Sequence, residues 1–411
     1  MNISIVADTT FCKGFPAGYP FRVINFAKAC ERMGLGVQLF LCNRNFVTKK
    51  DILWLKKINP KIKFFLIPPN LFYKKSFFNN FLIRHKSEIV QFENPEFVIN
   101  NLQVIAENQG KSIFILELHN LYYQLNRNTK EFQILETALH LVDYVICFSQ
   151  FDGDKIAHDF KSSRQKIIIS PLFVSCQDYK IYGPNLDKDN VLFIGNLFYK
   201  PNVEAANFLI KKVYPKLRKN FPTLHLHFVG NYPNKLFKKS TSWTFHGYVS
   251  GQKLDHILKE TKICVAPLFS GYGARVKVLE YAAYSFPIVA TSRAMNGFEK
   301  LSSVFIVSRF DFANQLAKYL RQHKLLVLAG SKNRKAVEKY YEAKKIMPKL
   351  INQIVYRPHS KLYPKLRTSF LIPPRSAKIY FPFWLKEERH NLKVLKSIYV
   401  IENGKVKKLS Q

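Results

Sequence analysis

Short, mostly apolar runs recur along this chain, separated by longer stretches with helical periodicity. Residues 2–8, 37–42, 63–67, 89–92, 113–118, 142–148 and 167–169 read as strands. Between the first two, residues 21–33 put Val23, Phe26, Ala27 and Cys30 on one helical face and stop at Gly34-Leu35-Gly36. Runs this apolar suit strands buried on both faces, and their alternation with helices predicts parallel sheets covered by helices. A polar segment at 174–190, containing Gly183-Pro184, interrupts the pattern like a linker. The pattern then restarts, with strands at 191–194, 224–229, 243–246, 263–268, 288–291 and 304–307 and helices at 203–217, 252–259, 311–321 and 331–349. The expected fold is α/β: two doubly wound domains, 1–185 and 186–350, followed by a basic aromatic extension at 351–411. Within that extension Asn403-Gly404 marks a hairpin.

At 411 residues with 47% apolar content, the chain can bury two ordinary cores. It contains no apolar run of membrane-spanning length, and its first residues read as a buried strand rather than a secretion signal. The six cysteines, Cys12, Cys30, Cys42, Cys147, Cys176 and Cys264, have no metal-binding spacing and suit reduced core thiols of a cytoplasmic protein. Lys and Arg number 64 against 28 Asp and Glu, a formal charge of +36 that attracts polyanions. Residues 49–86 mix ten Lys and Arg with Trp, Phe and Tyr, with no acid after Asp51. That mixture suits an anionic membrane face, and peripheral attachment to the inner face of the plasma membrane is the expectation. Nucleic acid is the rival partner, but no nucleic-acid motif is present.

One loop carries most of the chemical signal: VAPLFSGYGARVKVLEYAAYSFPIVAT at 265–291. It follows a strand, where ligands of open α/β sheets sit. Gly271 and Gly273 allow close backbone approach, and a helix starting near Ala274 would aim its positive end at an anion. Arg275 and Lys277 add formal charge, so the loop suits a phosphate or pyrophosphate. Glu280 lies seven residues past Gly273, about 10 Å along a helix axis, and at that remove it suits sugar hydroxyls. The alternative for Lys277 and Glu280 is a helix surface pair worth a few tenths of a kcal/mol.

Five segments of the second half occur in a telling order: VLFIGNLFYKPNVEAANFLIKKVYP, LHLHFVG, FHGYVS, ICVAPL and the loop itself. Together, over residues 191–349, they resemble the donor domain of GT-B glycosyltransferases of family 4, the glycosyl transferases group 1, in a GxGxRxKxLE form. GFPAGYPFRVINFAKACERMGLGV, ELHN and VDYVICFSQFDGDKI resemble that family's N-terminal half more loosely. The resemblance implies two Rossmann-like domains facing across a cleft and a retaining hexosyl transfer. A sugar would pass from a nucleotide-sugar donor to a glycan or lipid-linked glycan acceptor in cell-surface polysaccharide synthesis.

Residue by residue, the resemblance implies that Glu280 is the second acid of the family's paired-acid motif and binds the ribose. The first acid falls at Tyr272, so Tyr272 or the backbone of Gly273 and Ala274 would meet the donor sugar. Arg275 and Lys277 would meet the diphosphate and stabilise its leaving charge, with Lys200 and Asn196 beside them. His119 would contact the donor sugar at the reacting centre, and Gly14 and Gly18 would open the first loop. Arg22, at the start of that helix, is a candidate anion contact. Neither a metal nor a resident cofactor is implied. Asp152-Gly153-Asp154 has the form of a metal-binding pair but sits at a helix start, where capping favours acids. Two other functions share the architecture: a nucleotide-sugar 2-epimerase, for which the sequence shows no clear acidic pair, and a binding module that has lost catalysis.

Overall fold

The computed structural model describes residues 1–7, 18–42, 55, 58–119, 130–233, 240–271, 275–356, 398–403 and 405–409. Gly14, Tyr272, Gly273, Ala274 and Cys12 lie outside the described residues. The elements, in chain order, are β1 (Asn2–Ala7), α1 (Gly18–Arg32), β2 (Gly36–Cys42), β3 (Lys63–Ile67), α2 (Lys75–Arg84), β4 (Ile89–Phe92), β5 (Ile113–Glu117), α3 (Lys130–Leu141), β6 (Tyr144–Cys147), α4 (Gln150–Asp159) and β7 (Ile167–Ile169). There follow β8 (Asn190–Ile194), α5 (Lys200–Phe208), β9 (His225–Val229), β10 (Trp243–Phe245), α6 (Gln252–Glu260), β11 (Ile263–Ala266), α7 (Val276–Ala283), β12 (Ile288–Ala290) and β13 (Phe305–Ile306). The chain ends with α8 (Phe312–Leu320), α9 (His323–Tyr340), α10 (Ala343–Tyr356), β14 (Ile398–Glu402) and β15 (Lys405–Leu409).

The described residues divide into two compact units, one from 1–13, 22–170 and 347–411, the other from 14–21 and 171–346. The first holds a sheet in the order β15-β14-β3-β2-β1-β4-β5-β6-β7, parallel from β3 through β7. The second holds β10-β9-β8-β11-β12-β13, parallel throughout. Strand order reverses between β1 and β4 in one unit and between β8 and β11 in the other. The crevice beyond the carboxyl ends of such strands is where open α/β sheets bind ligands. The reversal therefore singles out Glu93 and the loop after β5 in the first unit, and Gly195 and the loop after β11 in the second.

The sequence boundary at 185/186 and the division at 170/171 differ because the segment read as a linker is bonded into the second unit. Tyr182 Oη donates to Asp255 Oδ1 at 2.6 Å, and Arg334 donates to the carbonyls of Tyr179 and Cys176 at 3.3 and 3.1 Å. The same segment explains why residues 331–349 are not one helix. Val174 N donates to Tyr341 O and Ala343 N donates to Val174 O, at 3.0 and 2.9 Å, so the crossing strand splits α9 from α10. Of the expected extension, 351–356 complete α10, while β14 and β15 form the hairpin signalled by Asn403 and extend the first sheet. The remainder of 351–411 lies outside the described residues.

The aromatic half of the proposed membrane face is overturned. Among the described residues of 49–86, Phe64, Phe65, Phe72, Tyr73 and Phe78 are buried, and Phe77 and Phe81 pack against the core. Phe40 stacks on Phe65 at 4.7 Å and meets Phe78 and Phe81 edge-on. The aromatics belong to the core because β3 is buried and α2 turns one face to it, leaving Lys61, Lys74 and Lys86 exposed. No helix among the described residues is long and apolar enough to cross a membrane. Cys30, Cys42, Cys147, Cys176 and Cys264 are buried free thiols.

Candidate functional site

In the second unit the candidate site assembles at the ends of β8 and β11. Strand β8 runs into Gly195, whose N–H donates to Val229 O at 2.8 Å. A Cβ on Gly195 would stand 2.8 Å from Lys277 Nζ and 3.0 Å from the Asn202 amide, so only glycine lets these groups come this close. Lys277, on the first turn of α7, is buried; its ammonium donates to Asn202 Oδ1 at 2.7 Å and lies 4.0 Å from the centre of the Phe193 ring. Asn202 in turn donates to the Asn196 carbonyl at 2.8 Å. Burial pushes the Lys277 ammonium well down; Arg275 adds to that and Glu280 opposes it. The surface pair is thus ruled out for Lys277: its partner is Asn202, and no ion pair with Glu280 forms among the described residues.

Helix α7 starts at Val276 rather than near Ala274, with Arg275 as its N-cap. Glu280 therefore sits in the second turn, four residues past the start and about 6 Å along the axis. The helix is buried all round except at Glu280, which is half-buried, as is the C-cap Tyr284. The Glu280 carboxylate makes no hydrogen bond or ion pair with the described residues, and burial pushes it up to about 8, against the pull of Lys277. Burial raises the Tyr248 and Tyr284 phenols, and the Glu280 charge adds to it. An acceptor held in this way gains most from a hydroxyl donor, which supplies the hydrogen bond that the described residues do not.

The loop after β11 is fastened from several sides. Thr291 Oγ1 donates to Leu268 O at 2.5 Å, Ser270 Oγ donates to Glu204 Oε2 at 2.5 Å, and Arg293 donates to Gly271 O at 3.3 Å. Gly271 has φ +89°, and a Cβ there would meet Tyr199 Oη, Pro201 and Arg275. Arg275 is buried and reaches Ser270 O at 3.4 Å. Asn196 folds its side chain back on its own loop, accepting from Phe198 N at 3.0 Å, and Lys200 is exposed at the start of α5. The structure brings Lys277, Asn196 and Gly195 together. It also adds Asn202, Phe193, Glu204 and Arg293, which sequence reasoning missed; no spacing rule links positions so far apart.

The first unit carries a second polar cluster at its own strand reversal. Arg22 is not the anion contact expected of it. It is buried, donating to both Glu117 oxygens at 2.8 and 3.2 Å, with its guanidinium 5.2 Å from the rings of Phe26 and Phe148. Gln91 Nε2 donates to Glu93 Oε1 and Glu117 Oε2 at 2.7 and 3.1 Å. His119 Nε2 lies 2.6 Å from Glu93 Oε2 and 3.8 Å from Glu117 Oε1. Burial lifts Glu93 to about 7 and Glu117 above its usual range, and drops His119 to about 4. Ligand atoms of Glu93, Glu117 and His119 lie within 4.8 Å of one another, and the Arg22 guanidinium is paired with Glu117 beside them. Gly18 falls in the first turn of α1. Ser149 caps α4: its Oγ accepts from the Asp152 N–H at 3.1 Å and donates to the Asp152 carboxylate at 2.7 Å, which places Asp152 in the first turn.

Residues 188–323 match the family model of Glycosyl transferases group 1. A curated relative, an uncharacterized 44.6 kDa protein in the cps region of Klebsiella pneumoniae, is 29% identical over 123 residues; the match covers 28% of this chain and 31% of the relative, so the chain spans about a third of its length. Among solved structures, sucrose-phosphate synthase from Thermosynechococcus elongatus is similar with a TM-score of 0.64 at 14% identity, covering 86% of this chain and 98% of that one. Anabaena HepE in complex with UDP and glucose is similar with a TM-score of 0.66 at 12% identity, covering 86% and 99%. A TarM variant from S. aureus, in complex with fondaparinux, alpha-GlcNAc-glycerol and UDP, reaches a TM-score of 0.70 at 11% identity, covering 86% and 99%. At these identities the likeness shows the fold, which is that of GT-B glycosyltransferases.

Proposed function

We propose that this chain, whose residues 188–323 match glycosyl transferases group 1, is a retaining glycosyltransferase that moves a sugar from a nucleotide-sugar donor to a glycan or lipid-linked glycan acceptor in cell-surface polysaccharide synthesis. The observation that carries the proposal is the pairing, on one helix, of a buried ammonium at the end of β8 with a carboxylate less than a turn away that has no partner among the described residues. Lys277 and Arg275 serve the diphosphate, and Glu280 accepts from the ribose hydroxyls. In the transfer, the bond from the anomeric carbon to the phosphate oxygen breaks and a bond to the acceptor oxygen forms on the same face. The acceptor proton passes to the leaving phosphate, and the preplaced cations stabilise the charge that develops there. These cations meet the diphosphate without a metal, so chelation with EDTA should leave the rate unchanged.

The relatives bound to UDP make UDP-sugars the first donors to try, and the relative in a cps region supports polysaccharide synthesis as the setting. A thermal-shift panel of UDP-, GDP- and ADP-sugars tests the donor reading: stabilisation by one nucleotide class is expected, and silence across the panel would favour a module that has lost catalysis. The acidic cluster Glu93–Glu117–His119 supplies acid and base groups that the sequence did not show, and it favours a second reading as a nucleotide-sugar 2-epimerase. Deuterium entering the sugar C2 position from heavy water, with no acceptor present, would select that reading. Attachment to the inner face of the plasma membrane in the cytoplasm now rests on the charge of +36 alone, and anionic vesicles at low salt would have to sediment the chain.

A further inference from the structure

The parallel register of the second sheet lines up three loops. Ala266 of β11 pairs with Ala290 of β12, and Ala290 pairs with Ile306 of β13. Three residues beyond these aligned positions, past the carboxyl ends of the strands, stand Phe269, Arg293 and Arg309. Both arginines turn onto the loop that carries Phe269. The Arg309 guanidinium lies over the Phe269 ring at 4.6 Å, and Arg293 donates to Gly271 O at 3.3 Å. Phe269 is backed in turn: it meets Phe208 edge-on at 4.9 Å, and Phe208 meets Phe312 at 5.8 Å. Arg309 thus rests on a packed aromatic wall, yet it and Arg293 are both exposed.

We infer that Arg293 and Arg309 form an anion site for a carboxylate or phosphate group of the glycan acceptor, which makes that acceptor an acidic glycan. The inference rests on the transferase reading and names the acceptor class. Neither arginine has an acid partner among the described residues, and the acids of the neighbouring segments are engaged locally. Glu204 accepts from Ser270 Oγ at 2.5 Å and Glu299 from Gly297 N at 2.9 Å. Asp311 accepts from Asn314 and Gln315 at 3.1 and 2.7 Å. A guanidinium stacked on a ring keeps its donors in one plane, a fork that matches two oxygens of a carboxylate or phosphate. The donor diphosphate does not need these groups, because Arg275 and the buried Lys277 serve it. In the sheet order β8-β11-β12-β13, the Lys277 cluster stands at the end of β8 and the two arginines beyond β12 and β13, on the other side of the β11 loop. The same loop runs on to Tyr272, which the resemblance assigns to the donor sugar, so an anion held here lies on the sugar side of the reaction.

The test is calorimetric titration of the full chain, in excess UDP, with three oligosaccharides of equal length: one of hexuronate, one bearing phosphate and one neutral. The wild type should bind one acidic oligosaccharide at least about tenfold more tightly than the neutral one, and Arg309→Gln, with a native circular dichroism spectrum, should lose about that factor. Its affinity for UDP should stay at the wild-type value. Because a chain of charge +36 attracts any polyanion, Lys219→Gln is the control. Lys219 is exposed on the segment leading into the amino end of β9, at the opposite end of the sheet, and its loss should leave the affinity unchanged. Equal affinity for the acidic and neutral oligosaccharides would overturn the inference, as would equal losses in Arg309→Gln and Lys219→Gln. A fall in UDP affinity as large as the fall for the oligosaccharide would also overturn it, by placing Arg309 at the diphosphate. So would a loss confined to UDP-glucuronate and absent for UDP-glucose, by placing the anion on the donor sugar. A chain that ignores UDP yet binds the acidic oligosaccharide through Arg309 sinks only the transferase reading, and one that binds UDP without this discrimination sinks only this inference.

Discussion

Replacing Arg22 with Met should be among the most damaging single changes in the first unit, and the structure gives the size of the effect. Arg22 and Glu117 are 1% and 0% exposed at their side chains, and two bonds of 2.8 and 3.2 Å join them. Removing one partner of a buried pair leaves the other charge uncompensated, which costs about 3–5 kcal/mol. Glu117 offsets part of this by taking up a proton, since burial and the neighbouring Glu93 already raise it. Met also retains most of the packing on Phe26 and Phe148, so the loss reflects the charge. For a unit of this size the midpoint of thermal unfolding should fall by roughly 10 °C. The double variant Arg22→Met/Glu117→Leu, with no stranded charge, should recover most of that. Scanning calorimetry of the two variants and the wild type measures both. A fall of less than about 1 kcal/mol in the single variant, or no recovery in the double, would refute the argument that the pair is a buried, mutually dependent unit.

Further expectations concern the second unit. Gly195→Ala should weaken nucleotide binding, because its Cβ would lie 2.8 Å from Lys277 Nζ, and calorimetric titration with UDP should show the loss while circular dichroism stays native. Glu280 is held at about 8, above its unfolded value near 4.5, so the folded state binds the proton more tightly. Its contribution is complete below pH 4.5 and fades as pH rises through about 8; Glu280→Gln should therefore gain about 1–2 kcal/mol on the wild type between pH 5 and 8, after discounting for solvent, in urea unfolding. His227 and His246, 2.9 Å apart, are held down at about 3 and about 4 by burial, from an ordinary value of 6.5. The unfolded chain takes up protons there first, so the second unit should lose stability as pH falls from 6.5 towards 4, and His227→Gln should flatten that slope in calorimetric scans.

Much of the fold was legible because strands buried on both faces are mostly apolar runs. The strand at 167–169 coincides with β7, and 63–67 and 89–92 coincide with β3 and β4. Helices α2 and α3 were harder to read: KSFFNNFLIR alternates aromatics with asparagines, and its N-cap Lys74 offers no capping side chain. The break between α9 and α10 depends on Val174, far away in the chain, and a local pattern carries no trace of it. Within the site, Lys277 and Glu280 could be found from a glycine loop, helical spacing and the resemblance. Their true neighbours could not, because Asn202 reaches Lys277 only once β8 and β11 pair. Likewise Glu93 and Glu117 each look like an isolated acid ending a strand, and only the parallel register of β4 and β5 sets them beside one ring.

The central claim is that Glu280 and Lys277 form the nucleotide end of a donor site, and isothermal titration of UDP and UDP-glucose into three chains tests it directly. Wild type should bind. Glu280→Ala and Lys277→Met, with native circular dichroism spectra, should each bind at least about tenfold more weakly, as expected when one charged hydrogen bond worth about 1.5–3 kcal/mol is lost. Equal affinity in the wild type and both variants would contradict the account by placing the nucleotide elsewhere.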